Sequence, residues 1–317
     1  MMLVHTMAKI TVRRYQREDY PLWNQWVKQA NNATFLFHRD FMEYHSDRFE
    51  DFSLILCNEE EWIGVIPAHK TGTVLSSHFG LTYGGVVFKN TLEAPTKQLV
   101  FEELFLFLKE NLFTHWKIKP IPNLYSKVED SLDWGIMGFE LLKQDVLLAI
   151  DYNAYTISKS KLKHFRKRQT LNFEIKEGNL NEFWTKVLIP LLNEKYGVQP
   201  IHSLEEIERL YSKFPQNIKQ YNLFCDGEIQ AGITIFESEF VVKSQYGAAT
   251  ESGKNMRALD LLFIHLIKEY EAKGMRFFDM GTVMDASFEN GINTGLLNQK
   301  KELGGKEQLF PTYIKTL

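Results

Sequence analysis

The sequence has little cysteine and no long apolar run. Cys57 and Cys225 are its two cysteines, and they match neither a metal-ligand spacing nor a disulfide framework, which fits a reducing compartment. No stretch approaches the roughly 20 apolar residues of a transmembrane helix, and residues 1–16 lack the apolar core of a signal peptide. We therefore expect a cytoplasmic protein, which can still act on a membrane-attached substrate from the inner side.

The chain also lacks an excess of positive charge and the common metal and nucleotide motifs. A net charge of −3 argues against general nucleic-acid binding, although it allows local basic patches. No HExxH, Walker or dinucleotide-binding sequence is present, so we expect no metal site. The 24 phenylalanines and 13 tyrosines predict an aromatic-rich core.

Two stretches of the chain share one order of features. Residues 53–70, SLILCNEEEWIGVIPAHK, and 221–238, YNLFCDGEIQAGITIFES, each contain an apolar run, a polar turn and a second apolar run with a glycine. In each stretch the cysteine precedes that glycine by seven residues. Apolar runs that alternate around a polar turn predict a β-hairpin, and Asp226-Gly227 is a strong tight-turn pair.

Each predicted hairpin is followed by a strand, a helix and a second strand. The helices are predicted from apolar residues at helical spacing, and Gly274 is expected to end the second one. The predicted elements are strands at 81–88 and 241–250, helices at 96–112 and 257–274, and strands at 117–125 and 275–281. The order indicates a duplicated α/β unit, with domains at 1–152 and 153–317. The alternative is that the similarity merely reflects the hairpins and helices of any mixed α/β protein.

The segment 277–306, FFDMGTVMDASFENGINTGLLNQKKELGGK, has the most unusual composition. Asp279 interrupts an apolar strand, where it either accepts hydrogen bonds from the next loop or orients an amine nucleophile. Asn290 and Asn293 lie among glycines that permit a loop to approach a ligand closely. Lys300 and Lys301 are predicted to lie on a helix that Gly304-Gly305 ends, where they either neutralise an anion or form a solvated face.

This order of elements resembles the acetyltransferase fold of the GNAT superfamily, present twice, as in the Fem family of peptidyl transferases and their FemAB-like relatives. The resemblance covers about 155–317 by motif and the first half mainly by topology. The motifs that carry it are Lys161–Arg168, Asp226-Gly227, Tyr246, Ala258–Leu262, Phe278-Asp279-Met280-Gly281, Asn293-Thr294-Gly295-Leu296 and Lys301-Glu302-Leu303-Gly304-Gly305.

The resemblance implies an acyl-CoA donor, such as acetyl-CoA, and a set of site residues. Asp279, Tyr246 and Lys301 occupy the catalytic positions. The pyrophosphate segment corresponds to Gly253, Lys254, Asn255, Arg257 and Ala258, but Met256 stands where the central glycine of that pattern belongs. A helix N-terminus still favours an anion there.

Further candidates lie outside those motifs. His78 and Tyr83 are expected to line an acceptor pocket together with Asn290, Asn293 and Lys300, with His78 either a base or a structural residue. The basic segment 161–168 is expected to contact a phosphate-bearing substrate or tRNA, or else to form a solvated helix face.

Three functions are compatible with these patterns. The first is an N-acyltransferase that uses an acyl-CoA and a small, nucleotide-linked or lipid-linked acceptor, with envelope or polysaccharide precursors implied by the resemblance. The second is a Fem-like transferase that uses aminoacyl-tRNA, against which the absence of a heptad-patterned helical arm argues. The third is a non-catalytic binding protein, since a fold does not determine a function.

Overall fold

The computed structural model describes residues 9–128, 132–168 and 172–317, and it divides into two compact units. Unit 1 comprises Met1–Gln144 and Phe310–Leu317, and unit 2 comprises Asp145–Leu309. Residues 1–8, in which no signal peptide was predicted, lie outside the described part. Among the described residues, no helix is both long and apolar enough to cross a membrane.

The described residues of unit 1 form two sheets. The first has the order β1-β3-β4-β7, and the second has the order β15-β8-β6-β5-β2. Their strands are β1 (Ile10–Arg14), β2 (Glu50–Asp51), β3 (Leu54–Asn58), β4 (Glu61–Ile66), β5 (Ala68–Thr71), β6 (Val74–Ser77), β7 (Val87–Phe88), β8 (His115–Ile118) and the end of β15 (Lys306–Thr316). The helices are α1 (Tyr20–Gln29), α2 (Arg39–Met42) and α3 (Ala94–Glu110), with short 3-10 turns at Arg17–Asp19, Phe35–Phe37, Glu43–His45 and Asn123–Tyr125.

The predicted hairpin at 53–70 is confirmed as β3 and β4, and the predicted helix at 96–112 as α3. The strand predicted at 81–88 is wrong for most of its length, because only Val87 and Phe88 form β7. The reason is Gly84-Gly85, where Gly85 adopts a φ of +124° that interrupts an extended run. The hairpin of β5 and β6 was not predicted.

The aromatic residues of unit 1 form its core, as predicted. Trp116 is fully buried, and its ring lies 5.3 Å from that of Phe139 and 6.0 Å from that of Phe101. Both the edge-on pair with Phe139 and the stacked pair with Phe101 add to the free energy of area burial, because these are the arrangements that aromatic rings prefer.

Within the described part of unit 2, the strands form a mixed sheet with the order β10-β11-β12-β13-β14-β9. Its strands are β9 (Glu140–Asp151, of which residues 145–151 belong to unit 2), β10 (Phe173–Glu177), β11 (Ile218–Cys225), β12 (Glu228–Glu237), β13 (Val241–Ala249) and β14 (Phe277–Thr282). The helices are α4 (Lys159–Arg168), α5 (Leu180–Phe183), a π-turn (Trp184–Leu188), α6 (Ile189–Tyr196), α7 (Leu204–Lys213), α8 (Glu251–Met256), α9 (Ala258–Ala272) and α10 (Thr294–Glu302).

Local sequence signals account for several of these elements. The predicted hairpin at 221–238 is confirmed: Asp226 and Gly227 have φ values of +52° and +83°, as a two-residue hairpin turn requires. Ser203 and Glu206 form a reciprocal capping box at the start of α7. Pro190 follows the π-turn, because a proline has no N–H to donate to the preceding helical turn.

Three histidines of unit 1 are packed against one another. His45, His69 and His78 are at most 3% exposed, and the rings of His45 and His78 stack at 4.7 Å with an angle of 9°. The ring of Phe49 contacts all three. Burial, and then the charge of His45, lowers the pKa of His69 to about 4 and that of His78 to about 2.

This cluster predicts a loss of stability at mildly acid pH. Both pKa values lie below that of an unfolded histidine, about 6.5. The unfolded chain therefore gains protons below pH 6.5 that the folded chain does not bind, and the free energy of unfolding falls by roughly 1.4 kcal/mol per histidine and pH unit. The fall continues to about pH 4 for His69 and to about pH 2 for His78.

The measurement is denaturant unfolding followed by tryptophan fluorescence between pH 7 and 4.5. Five of the six tryptophans, at 23, 26, 62, 116 and 134, belong to unit 1. His78→Phe is expected to reduce the pH dependence, whereas His265→Gln, at an exposed position of α9, is expected to leave it unchanged. An equal slope in all three proteins would contradict the assignment.

Candidate functional site in unit 2

The parallel strands β13 and β14 pair over only three positions and then separate. Val241, Val242 and Lys243 face Phe277, Phe278 and Asp279. Two features bend the strands apart beyond this point. The register between β12 and β13 shifts next to Gln245, as in a β-bulge that increases local bending, and Gly281 adopts a φ of +73° that favours glycine.

A pocket of about 300 Å³ occupies the gap between the separating strands. We call it the wedge pocket. Its lining residues come from β13, α9, β14 and α10, with Leu303 directly after α10. In that order they are Lys243, Ser244, Gln245 and Gly247; Leu259 and Phe263; Met280, Gly281 and Thr282; and Leu296, Gln299, Lys300 and Leu303. Its walls toward α9 and α10 are largely apolar, and its lysines come from β13 and α10.

Asp279, Lys243 and Lys300 lie where β13 and β14 separate. Asp279 is 2% exposed, its Oδ1 accepts a 2.7 Å hydrogen bond from Gly281 N–H, and its Oδ2 lies 3.8 Å from Lys243 Nζ. Asp279 therefore has a visible structural role, which was one of the two alternatives for this residue.

Of the two adjacent lysines, Lys300 faces the wedge pocket. Its Nζ donates to the carbonyl oxygens of Gly281 at 3.1 Å and Thr282 at 2.8 Å. The pKa of Lys300 is lowered to about 8, because the lowering effects of burial and of the charge on Lys243 together outweigh the raising effect of Asp279. Lys301, which the resemblance favoured, is exposed and pairs with Glu307 at 2.5 Å. The predicted helix under both lysines is confirmed.

The asparagines of the preceding loop hold α10 in place. Asn293 is the N-cap: its Oδ1 accepts from Leu296 N–H at 3.0 Å, and its Nδ2 donates to Asp285 at 3.3 Å. Such a cap satisfies an N–H that the helix leaves unpaired. Asn290 is exposed and accepts from Ile292 N–H at 3.1 Å. Both side chains are thus engaged within the loop.

Tyr246 lies on β13 but is not among the residues that line the wedge pocket. Its ring packs edge-on against Trp184 at 5.0 Å, and its hydroxyl lies 2.6 Å from His202 Nδ1. Burial raises the pKa of Tyr246 to about 12, so the hydroxyl keeps its proton at neutral pH. The sequence reasoning did not single out His202, and its position just before the capping box of α7 was the available signal.

The segment predicted to hold a pyrophosphate is a short helix. Gly253 N–H donates to Thr250 Oγ1 at 2.9 Å, and Lys254 N–H donates to Thr250 O at 2.8 Å. Lys254 also pairs with Glu251. These two amides are therefore engaged in the helix. Asn255 and Arg257 are exposed; Arg257, at a φ of +56°, precedes Ala258, the buried first residue of α9.

The basic helix α4 contributes a buried ion pair. Lys161 Nζ donates to Asp260 at 2.5 Å and lies 3.5 Å from Glu302. The other oxygen of Asp260 accepts from Gln299 at 2.8 Å. This network joins α4, α9 and α10 beside the wedge pocket. Lys163 and Arg166 remain exposed, and the side chain of Arg168 is outside the described part.

His78 and Tyr83 belong to unit 1. His78 lies in the histidine cluster, and Tyr83 is 2% exposed with its hydroxyl donating to Thr34 at 3.1 Å. Their packing in the core of unit 1 fits structural roles. Lys243 and Gln299, by contrast, line the wedge pocket and were missed. A lysine within the apolar run VVKSQYG was the sequence signal for Lys243.

Residues 158–289 match the family model described as acetyltransferase (GNAT) domain. FemX has a similar structure, with a TM-score of 0.69, 11% identity, and coverage of 96% of this chain and 97% of that one. The C-terminal domain of a putative lysylphosphatidylglycerol synthetase from Agrobacterium fabrum is also similar, with a TM-score of 0.59, 11% identity, and coverage of 95% and 92%. A comparison with curated protein sequences finds no match.

These similarities and the separating strands define the class of fold. Residues 158–289 match the GNAT domain model, and the chain has a mixed α/β fold similar to that of FemX, so both the predicted resemblance and the predicted fold class are confirmed. At these identities the similarity to solved structures concerns the fold alone.

Gly253 is expected to be required for packing. An added Cβ would lie 2.1 Å from Gln230 O and 2.9 Å from Gln230 C, both backbone atoms of β12. Gly253→Ala should therefore displace α8 from the sheet and lower the free energy of unfolding by roughly 1–3 kcal/mol, the usual cost of overpacking.

Ser252→Ala, at an exposed position of the same helix, is the matched control and should change stability by less than about 0.5 kcal/mol. Urea unfolding of the three proteins decides between the two roles of Gly253. Unchanged stability of Gly253→Ala together with weaker ligand binding would instead indicate a phosphate-binding glycine.

Proposed function

We propose that the protein is an N-acyltransferase and that the wedge pocket receives the acyl thioester arm of an acyl-CoA. The observation that carries the proposal is the separation of β13 and β14 after Lys243 and Asp279. Separation leaves a strand edge with backbone groups to offer a ligand, beside walls formed by α9 and α10. A thioester arm needs both, since its amides require hydrogen bonds and its methylene groups require an apolar surface.

The proposed reaction is direct attack of an acceptor amine on the thioester carbonyl. The C–N bond forms, the carbonyl oxygen becomes an oxyanion, and the C–S bond then breaks to release a thiolate. Backbone N–H groups on the open edge of β13 are suited to stabilise the oxyanion. The released thiolate takes a proton from water. Tyr246 has no part in this step, because its hydroxyl lies 2.6 Å from His202 Nδ1 and its side chain does not line the wedge pocket. Water receives the amine proton. Asp279 orients Lys243.

Besides that of Tyr246, two of the expected roles are modified in this proposal. Lys301 has no part in it, because its side chain is exposed and paired with Glu307. The pyrophosphate is assigned to the first turn of α9, which begins at Ala258, because the amides of Gly253 and Lys254 are bonded within α8. The unpaired N–H groups of a helix N-terminus favour an anion.

The test is thermal stability with CoA, acetyl-CoA and longer acyl-CoAs. A ligand at about 100 times its dissociation constant stabilises the folded state by roughly 2.7 kcal/mol. Gly247→Leu is the blocking variant, because Gly247 lines the wedge pocket and its Cβ position is 3.7 Å from the nearest atoms. Gly247→Ala is the matched control that leaves room. We expect stabilisation of the wild type and Gly247→Ala but not of Gly247→Leu. No stabilisation by any of these ligands, or equal stabilisation of all three proteins, would overturn the proposal.

One observation favours a second donor, an aminoacyl-tRNA. The segment 253–254 offers no free amides to a pyrophosphate, while α4 exposes Lys163 and Arg166. Filter binding of total tRNA across a salt series distinguishes the donors. Phosphate contacts predict a steep loss of affinity with salt, and Lys163→Ala together with Arg166→Ala should then reduce the slope. The acyl-CoA proposal predicts no such binding.

A further inference from the structure

The wedge pocket has an imbalance of buried charge. Lys243 and Lys300 are both among its lining residues, and none of the described lining residues is acidic. The nearby carboxylate is that of Asp279, 3.8 Å from Lys243. Two ammonium groups thus share one buried carboxylate, and burying a charge without a full complement of partners costs free energy.

Lys300 retains both a charge and a hydrogen-bonding capacity for a ligand. A lysine ammonium has three donors, and the two acceptors identified for Lys300 are carbonyl oxygens of Gly281 and Thr282. Its pKa of about 8 keeps it mostly protonated at pH 7. A neutral lysine would suit a base, whereas this one suits an anion.

The position of the lysines indicates which part of a ligand they meet. Lys243 is the last residue of β13 that pairs with β14, so it lies at the closed end of the gap. The first turn of α9 contributes Leu259 to the lining of the wedge pocket, at a position other than this closed end. A pocket of about 300 Å³ is at the lower limit for a drug-sized ligand, so the nucleotide of CoA stays outside and the acyl group enters first.

We propose that the closed end of the wedge pocket selects an acyl group with a terminal carboxylate, held between Lys243 and Lys300. This inference rests on the proposed function and specifies the donor as the CoA thioester of a dicarboxylic acid. The carboxylate completes the charge balance of two lysines and Asp279. An apolar acyl group of the same length leaves the imbalance in place and desolvates the lysines further.

The experiment compares succinyl-CoA with butyryl-CoA, whose acyl chains both have four carbons and differ in the terminal group. Hydrogen bonds between a carboxylate and an ammonium group are stronger than those between neutral groups. We therefore expect the wild type to bind succinyl-CoA at least about tenfold more tightly in calorimetric titration. Lys243→Met should remove most of that preference, and Lys243→Arg should retain it. Lys176→Met, at a half-exposed strand position of β10, is the matched control and should keep the wild-type ratio.

The outcomes separate this inference from the proposed function. The wild type could bind butyryl-CoA as tightly as succinyl-CoA, or more tightly, while Gly247→Leu binds neither. That result would overturn the carboxylate selection and leave the acyltransferase proposal standing. A preference for succinyl-CoA that survives in Lys243→Met would place the anion elsewhere and overturn the inference. Binding of neither thioester would overturn both. The ratio of the wild-type affinities for succinyl-CoA and butyryl-CoA tests the carboxylate selection even if a lysine variant fails to fold.

Discussion

The separation of two parallel strands is the constraint on which the rest of unit 2 depends. Once β13 and β14 part beyond Lys243 and Asp279, their facing backbone groups lose their sheet partners, and buried groups of this kind must be satisfied in another way. The chain meets part of this requirement with Lys300, whose ammonium bonds two carbonyls at the end of β14. The open edge of β13 is where we propose that the ligand binds.

That arrangement also explains the helix that carries Lys300. The lysine reaches the end of β14 only if α10 begins at the right place, and Asn293 fixes this start by capping the first turn. Gln299 then ties the same helix to Asp260 of α9, which Lys161 of α4 neutralises. The basic helix therefore supports a wall of the wedge pocket through a buried ion pair.

The sequence was sufficient for the elements with strong local signals. The Asp226-Gly227 turn and the helix under Lys300 and Lys301 depend on neighbouring residues, and both were predicted. The strand predicted at 81–88 failed because two glycines interrupt it, and the hairpin of β5 and β6 was missed. Which of two adjacent lysines is buried depends on the rotation of α10 relative to β14, a tertiary property that spacing does not determine.

The motifs that made the fold recognisable are mainly those that shape the wedge pocket. Asp279 accepts the N–H of Gly281, Asn293 caps α10, and Gly304, at a φ of +100°, turns the chain after that helix. Lys243 and Gln299 lie outside those motifs, yet they contribute polar groups to the pocket. A pattern of turns and caps therefore identifies the scaffold, whereas the proposed selection of an acyl group depends on side chains that the pattern leaves unspecified. This is why the fold follows from the motifs and the donor must be argued from the charges within the pocket.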